Sequence, residues 1–233
     1  MHDNVTYETL AKLHPLRPVD RIGFIANACA GLRVLDIGCL DETALEKRGT
    51  GNWLHERIAA NAESVLGIDN SIKIPEEGIT TGKNSKIIRG NALELDELFG
   101  KCFDVIVAGE FIEHIDRPVA FIHRLKGLFP GTRILLSTPN GVSFANTLLG
   151  MISREAQHPD HLHVFTYKIL NTICLRAGLV DFNILPYSFY ATEMILKSTG
   201  AKKNLAKTSE LFIRTIEKIF PLLSFGYIID AKL

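Results

Sequence analysis

The chain has 233 residues, 46% of them hydrophobic and 22% charged, which is enough apolar material to bury the core of one globular domain. Its 26 basic side chains balance its 26 acidic ones, so the sequence lacks the net positive charge that is typical of nucleic-acid-binding proteins. A nucleic-acid partner is therefore disfavoured. No internal repeat or low-complexity linker divides the chain, and we predict a single domain over residues 1–233.

The cysteines and the apolar segments bear on the cellular compartment. Cys29, Cys39, Cys102 and Cys174 form no CxxC pair, and we expect reduced, partly buried thiols. No apolar run is long enough to span a bilayer, and the N-terminus lacks the charged, apolar and small-residue regions of a secretory leader. These features predict a cytoplasmic protein without a transmembrane segment. Nothing in the sequence indicates the oligomeric state.

Several predicted strands end in small or polar residues. After a helical N-terminal segment at 1–30, the run Arg33–Ile37 predicts a buried strand that carries Asp36 and ends at the turn residue Gly38. Later strands end in the same manner, in the segments Ser64–Asn70, Lys86–Ala92 and Phe103–Glu110. In an open α/β sheet, ligands bind outside the carboxyl ends of the strands, where a small residue lets the backbone approach them. We therefore expect a binding crevice at this edge.

The rest of the chain is predicted from hydrophobic periodicity and turn residues. Trp53, Leu54 and Ile58 are expected to pack a first crossover helix against the sheet. Asp116 is expected to cap the next helix, with Pro118 just inside it. In chain order the predicted elements are a helix in residues 43–62, a surface loop at 72–85, a helix at 118–128, a strand within 129–141, a loop at 142–160, a helix ended by Gly178, a strand at 180–190, an amphipathic helix at 192–223 and a last strand at 226–230.

This order of strands and turns resembles that of the class I S-adenosylmethionine-dependent methyltransferases, over residues 20–190. Leu135–Asn140, LLSTPN, also matches that family, and His14–Ile25 resembles the start of ubiquinone-biosynthesis O-methyltransferases. The resemblance implies an α/β fold with a Rossmann-like seven-stranded, mostly parallel sheet, helices on both faces and an antiparallel last strand. It also implies S-adenosylmethionine as the cofactor. Residues 192–223 would then be a helical insertion over the substrate side.

Within this resemblance, the polar ends of the strands become candidates for holding the cofactor. Asp69 can accept hydrogen bonds from a ribose diol, and Asn91 with the backbone amide of Ala92 can pair with an adenine edge. Gly109 and Glu110 would lie under the methionine end, where a carboxylate can meet the ammonium group. The candidate cofactor-binding residues are Arg21, Asp36, Gly38, Cys39, Asp69, Asn70, Asn91, Ala92, Gly109 and Glu110.

Two of these assignments leave alternatives open. Arg21 matches an arginine that can reach the cofactor carboxylate in the ubiquinone enzymes, whereas an exposed arginine on an amphipathic helix is an equally good interpretation. The family's turn carries two or three glycines, but here Gly38 is followed by Cys39 and Leu40, with Glu42 further on. The missing glycines disfavour a dehydrogenase, whose pyrophosphate requires them. They leave open a non-catalytic S-adenosylmethionine-binding protein.

Candidate catalytic residues follow the fourth of these strands and lie in a histidine-rich segment. His114 is our first choice for a general base, because a neutral imidazole near pH 7 suits the removal of a hydroxyl proton. Its alternative role is to cap or pack the loop. His161 is the second candidate, within the cluster His158, Asp160, His161 and His163. Aromatic residues near the final strands either face an acceptor or, as we favour, fill the core; they are Phe182, Tyr187, Phe189 and Tyr190.

A divalent metal is a further hypothesis. Glu110, Glu113, His114 and His161 are similar to the Glu-x-x-Glu-His…His set that small-RNA 2′-O-methyltransferases use to hold a divalent ion. The segments EFIEH and HLHVF also fit metal-free members of the wider family, and the sequence favours those. We therefore expect an S-adenosylmethionine-dependent O-methyltransferase acting on a small-molecule, lipid or glycan acceptor. A metal-assisted ribose 2′-O-methyltransferase acting on RNA is the alternative enzyme.

Overall fold

The computed structural model describes residues 12–40, 43–96 and 103–233. Predictions that concern Asp41, Glu42 and Cys102 lie outside these ranges. In chain order the elements are α1 (Arg21–Ala28), β1 (Arg33–Ile37), α2 (Leu54–Asn61), β2 (Ser64–Asp69), β3 (Ile79–Gly82), β4 (Ser85–Arg89), β5 (Val105–Gly109), α3 (Pro118–Leu128), β6 (Arg133–Pro139), α4 (Phe144–Met151), α5 (Tyr167–Arg176), β7 (Phe182–Tyr187), α6 (Thr192–Lys197), α7 (Gly200–Ile219) and β8 (Gly226–Lys232).

The strands form one sheet in the order β3-β4-β2-β1-β5-β6-β8-β7. Strands β4, β2, β1, β5 and β6 pair in parallel, whereas β8 lies antiparallel between β6 and β7. The predicted Rossmann-like, mostly parallel sheet with an antiparallel last strand is thereby confirmed. Val19 of the N-terminal segment pairs with the outer edge of β7, which places the start of α1 beside the end of that strand.

Helices cover both faces of the sheet because successive strand residues point to opposite sides. Val34 of β1 packs with Ile25 of α1 and Ile58 of α2, while the adjacent Leu35 belongs to a second buried cluster with Leu125 of α3. Helix α5 also packs in that second cluster. The sheet is therefore buried on both sides, and its carboxyl edge remains as the place where polar residues collect.

Two segments that were predicted as loops contain regular structure. Residues 72–85 include β3, which pairs antiparallel with β4, so the sheet has eight strands instead of the predicted seven. Residues 142–160 include α4, which begins after Ser143, and the Ser143 hydroxyl accepts a hydrogen bond from the Asn146 amide. Strand β3 has only four residues, too few for the alternation of a strand to be recognised.

Three helices also differ from their predictions. The first crossover helix is shorter, since residues 43–51 form turns before α2. The single helix predicted at 192–223 is two helices, α6 and α7, separated by the extended residues Ser198 and Thr199; α7 begins at Gly200, whose φ is 56°. Arg117 rather than Asp116 lies at the N-cap of α3, with Pro118 in its first turn as expected.

The described cysteines are buried thiols, as the sequence predicts. Among the cysteines that the structure describes, Cys29, Cys39 and Cys174 are free and buried. Burial raises the pKa of Cys29 and of Cys174 to about 12, so both remain protonated thiols. Within the described ranges, no helix combines the length and the apolar character that crossing a bilayer requires.

Candidate active site

The carboxyl ends of the central strands bring the predicted junctions together. Ile37 at the end of β1 is level with Ile68 of β2 and with Ala108 of β5. Because these strands are parallel, the residues that follow at each end lie side by side on one edge. Those residues are Gly38, Asp69 and Gly109.

The turn after β1 requires a glycine at its first position. Gly38 has φ of 66°, and a Cβ built on it would lie 2.7 Å from Cδ2 of Phe111. At the next two positions, side chains fill the space that glycines would leave empty. Cys39 and Leu40 are buried and pack in a cluster with Trp53, whose indole nitrogen donates to the Cys39 carbonyl at 2.8 Å. Cys39 and Leu40, which stand where the resembled family has glycines, therefore anchor this turn to the core.

Asp69 lies beside that turn at the end of β2. Its Oδ2 accepts a hydrogen bond from the Leu40 amide at 3.0 Å, and its Oδ1 accepts one from the Ser71 amide at 2.9 Å. A carboxylate oxygen can accept more than one hydrogen bond, so Asp69 braces the turn and can still receive the hydroxyls of a ribose. Asn70 follows it in an exposed position.

Asn91 and Ala92 lie at the adjacent edge position after β4. The Asn91 side chain caps a short 3₁₀ turn, because its Oδ1 accepts from the Leu93 amide at 3.0 Å. Its Nδ2 donates to Glu94 at 2.8 Å, and Ala92 is buried. The amide group that was predicted to pair with adenine is thus engaged within its own turn.

Asp36, predicted as a cofactor ligand, is buried and paired with another side chain. Its side chain is 2% exposed and lies 2.9 Å from Nδ1 of His55 in α2. Nε2 of His55 is 2.9 Å from the Thr81 hydroxyl, which is 2.7 Å from the Ser85 hydroxyl. This buried polar chain joins β1, α2, β3 and β4 behind the turn, so Asp36 supports the edge from within.

Glu110, directly after β5, has a strained backbone and a strongly held carboxylate. Its φ is 57°, in the left-handed region that side chains avoid and that is concentrated at functional sites. Oε1 accepts hydrogen bonds from the hydroxyls of Tyr187 at 2.7 Å and Tyr190 at 3.0 Å. The two tyrosines, which the sequence favoured as core residues, therefore fix this carboxylate at the edge.

Arg21 is directed into the same edge, which contradicts the exposed alternative. Its Nη1 donates to the Ser137 hydroxyl at 3.1 Å and lies 3.8 Å from Oε1 of Glu110. The guanidinium also lies 5.5 Å from the ring centroid of Tyr190. A Cβ on Gly109 would lie 2.7 Å from Cδ2 of Leu54 and 3.4 Å from Nη1, so packing of Leu54 excludes a side chain there while Arg21 stays at contact distance. A cation and an anion are thus held together beside the paired residues Gly109 of β5 and Ser137 of β6.

The two segments that carry the candidate catalytic histidines lie together in the structure. The ring centroids of His114 and His161 are 4.6 Å apart, and His158 lies 5.8 Å from His114 and 5.6 Å from His161. Burial lowers the pKa of His161, and the neighbouring imidazoles of His114 and His158 lower it further. A neutral His161 can act either as a base or as a metal ligand.

Glu113 is buried beneath this cluster. Its carbonyl accepts hydrogen bonds from the Leu162 and His163 amides at 2.8 and 3.2 Å, which docks the histidine-bearing loop. Among the described residues, its carboxylate oxygens find no hydrogen-bond partner of ordinary geometry. Burial raises the pKa of Glu113 to about 8, with a further contribution from the Glu110 carboxylate.

Residues 8–182 of the sequence match the protein family described as "Methyltransferase domain". The chain belongs to this family. The ubiquinone biosynthesis O-methyltransferase of Idiomarina loihiensis is 30% identical over 155 residues, which cover 61% of this chain and 57% of that protein. The chain spans about half the length of the curated relatives it matches.

Solved structures agree with this methyltransferase-domain fold. A SAM dependent methyltransferase from Archaeoglobus fulgidus has a TM-score of 0.53 at 18% identity, with 91% of this chain and 90% of that chain covered. The small RNA methyltransferase HEN1 has a TM-score of 0.59 at 16% identity, covering 97% of this chain and 27% of that one. At these identities the likeness establishes the class I fold alone.

In this methyltransferase-domain chain, the edge offers two chemically different regions. Asp69, beside the Gly38 turn, provides carboxylate hydrogen-bond acceptors, which suit a ribose. Arg21 and Glu110 provide a paired cation and anion, which suit an amino-acid group. The histidine cluster lies beyond Glu110 and offers proton acceptors. Sequence patterns located each of these residues but did not indicate Tyr187, Tyr190 or His55 as their partners.

Proposed function

We propose that this chain is an S-adenosylmethionine-dependent methyltransferase that transfers a methyl group to an oxygen of an acceptor. The observation that carries the proposal is the assembly of Gly38, Asp69, Arg21 and Glu110 on one sheet edge in a methyltransferase-domain chain. Relatives named as ubiquinone biosynthesis O-methyltransferases favour oxygen as the accepting atom and a small molecule as the acceptor. Lipid and glycan acceptors belong to the same proposal.

The proposed roles follow from the positions of the side chains. S-adenosylmethionine supplies an activated methyl group when it is bound. Asp69 accepts hydrogen bonds from the ribose hydroxyls, while Arg21 and Glu110 orient the amino-acid end by charge. Methyl transfer depends mainly on alignment of the two reacting atoms, so this positioning provides most of the catalysis. His114 or His161, as a neutral imidazole, takes the proton of an acceptor hydroxyl.

Asp69→Ala is expected to weaken cofactor binding on the order of 100-fold, because two hydrogen bonds to a charged acceptor are lost. Isothermal titration calorimetry with S-adenosylmethionine and S-adenosylhomocysteine measures this effect. Asp181→Asn, an exposed carboxylate at the opposite edge of the sheet, is the matched control and should bind as the wild type does. Absence of binding by the wild-type protein, or equal binding by a folded Asp69→Ala variant, would overturn the proposal.

A metal-assisted reaction is a second candidate, favoured by the histidine cluster. His114, His158 and His161 each offer a ligand atom within 4.8 Å of the others. Glu110, predicted as a ligand, is held by Tyr187 and Tyr190 instead and is outside this group. Three imidazoles suit a divalent transition metal, which lowers the pKa of a coordinated hydroxyl. The neutral charge of the chain keeps an RNA acceptor disfavoured.

His161→Ala is expected to weaken Mn²⁺ or Zn²⁺ binding by at least about 10-fold, since it removes one of three ligands. Calorimetric titration with each metal measures the affinity, and a parallel titration with S-adenosylhomocysteine checks that the cofactor edge is intact. His123→Ala, on the exposed side of α3, is the control. If the wild-type protein binds neither metal, or if both variants bind equally, this candidate is excluded in favour of metal-free transfer.

A further inference from the structure

The loop after β7 is held by side chains of α7. The backbone amide of Phe189 donates to Oε2 of Glu217 at 2.9 Å, and the Phe189 carbonyl accepts from Nε of Arg214 at 2.7 Å. Two residues on, the Ala191 amide donates to Glu210 at 3.1 Å. Side chains of α7 thus bind the backbone N–H and C=O of Phe189 and the backbone N–H of Ala191, although α7 lies about 20 residues or more further along the chain.

This loop carries the hydroxyl that fixes the cofactor edge. Tyr190, adjacent to Phe189, donates to both oxygens of Glu110, at 3.0 and 3.1 Å. Its ring centroid lies 5.2 Å from that of Phe225, which precedes β8. Any shift of the Phe189 backbone therefore moves the Tyr190 hydroxyl relative to Glu110. A continuous chain of contacts leads from α7 to the edge.

The polar contacts exceed what packing alone requires. Phe189 and Ala191 already form a buried cluster with Ile213 of α7. Glu217 is nevertheless fully buried, and among the described residues its Oε1 makes no hydrogen bond of ordinary geometry, although the Phe225 amide faces the carboxylate. Burying a carboxylate is costly unless it is hydrogen-bonded, and here the carboxylate accepts the buried Phe189 amide, which an apolar residue would leave unpaired. A role in orienting the loop accounts for a carboxylate at this position.

We propose that Glu217 and Arg214 are positioning residues, which hold the Phe189 backbone and thereby orient Tyr190 and Glu110 for the amino-acid end of the cofactor. The inference rests on the proposed function, because it assigns α7 a part in cofactor binding. Neither residue touches the cofactor in this scheme. The C-terminal helix, which lies outside the matched 8–182 region, would then be part of the binding machinery.

A double-mutant cycle tests this coupling. Glu217→Ala is expected to weaken S-adenosylhomocysteine binding about 10-fold in calorimetry, while Glu217→Gln retains the acceptor for Phe189 and stays within about 3-fold of the wild type. In a Tyr190→Phe background, which lacks the hydroxyl that donates to Glu110, Glu217→Ala should cause no further loss. Lys207→Ala, exposed on α7, is the control. Unchanged affinity in folded Glu217→Ala, or an equal loss in both backgrounds, would overturn the inference.

A measurement that needs no cofactor separates this inference from the proposed function. In protein labelled with ¹³C-tyrosine, the Cζ resonance of Tyr190 should shift in Arg214→Ala and Glu217→Ala but not in Lys207→Ala, with Tyr190→Phe giving the assignment. If Glu217→Ala does not fold, Arg214→Ala decides. Failure of the wild type to bind S-adenosylhomocysteine would refute the proposed function, and an unmoved Tyr190 resonance would refute the positioning role.

Discussion

Asp36→Ala is expected to lower the free energy of unfolding by about 3 kcal/mol, since removing one partner of a fully buried pair leaves the other uncompensated. His55 is 0% exposed, and its Nδ1 faces Asp36 at 2.9 Å. Without Asp36 the imidazole keeps only the Thr81 hydroxyl on its other nitrogen. The loss also leaves a small cavity behind the turn that precedes Leu40.

The measurement is urea denaturation followed by circular dichroism at neutral pH. Asp104→Ala is the matched control, because Asp104 binds Arg33 of the same strand through hydrogen bonds of 2.9 and 3.0 Å but at an exposed position. Its loss should cost less than about 1 kcal/mol, as exposed ion pairs do. Equal effects of the two substitutions would show that burial of the Asp36 pair is not what stabilises this region.

Glu113→Gln is expected to stabilise the fold at alkaline pH by on the order of 3 kcal/mol and to have little effect in acid. Burial raises the pKa of Glu113 from its ordinary 4.5 to about 8 in the folded protein. Between these values the folded state retains a proton that the unfolded chain has released, so the stability falls as the pH rises. Glutamine has no such proton and removes this part of the pH dependence.

Denaturation curves at pH 4.5, 6.5 and 8.5 measure the difference between wild type and variant. The gap should widen as the pH increases through this window. Glu63→Gln, an exposed carboxylate before β2, is the control and should run parallel to the wild type. Parallel curves for Glu113→Gln would mean that its carboxyl group is not titrating from a buried, unpaired position.

The central strands could be predicted from the sequence because their signals are local. Arg33–Ile37 and Ser64–Asp69 are short apolar runs that end in a turn residue or an acid, and both are strands with those bounds. Once parallel strands were inferred, the proximity of Gly38, Asp69 and Gly109 followed from the geometry of the sheet. The edge of the site was therefore accessible to sequence reasoning.

The partners of these residues were not accessible, because each contact joins distant parts of the chain. Nothing near Asp36 indicates that His55, on a later helix, turns inward to meet it. Tyr187 and Tyr190 occur in an apolar strand pattern that equally describes core residues, and only the position of β7 brings them to Glu110. Pairings of this kind depend on tertiary packing, which hydrophobic periodicity does not encode.

The position of β8 has a consequence for the order of assembly. This strand follows all the other strands in the chain, yet it lies inside the sheet between β6 and β7. During synthesis the parallel strands from β4 to β6 can pair first, whereas β7 has no strand beside it until residues 226–232 emerge from the ribosome. Tyr187, at the end of β7, therefore reaches Glu110 only after β8 has joined. A nascent chain can build the Asp69 side of this sheet edge before it completes the Glu110 side.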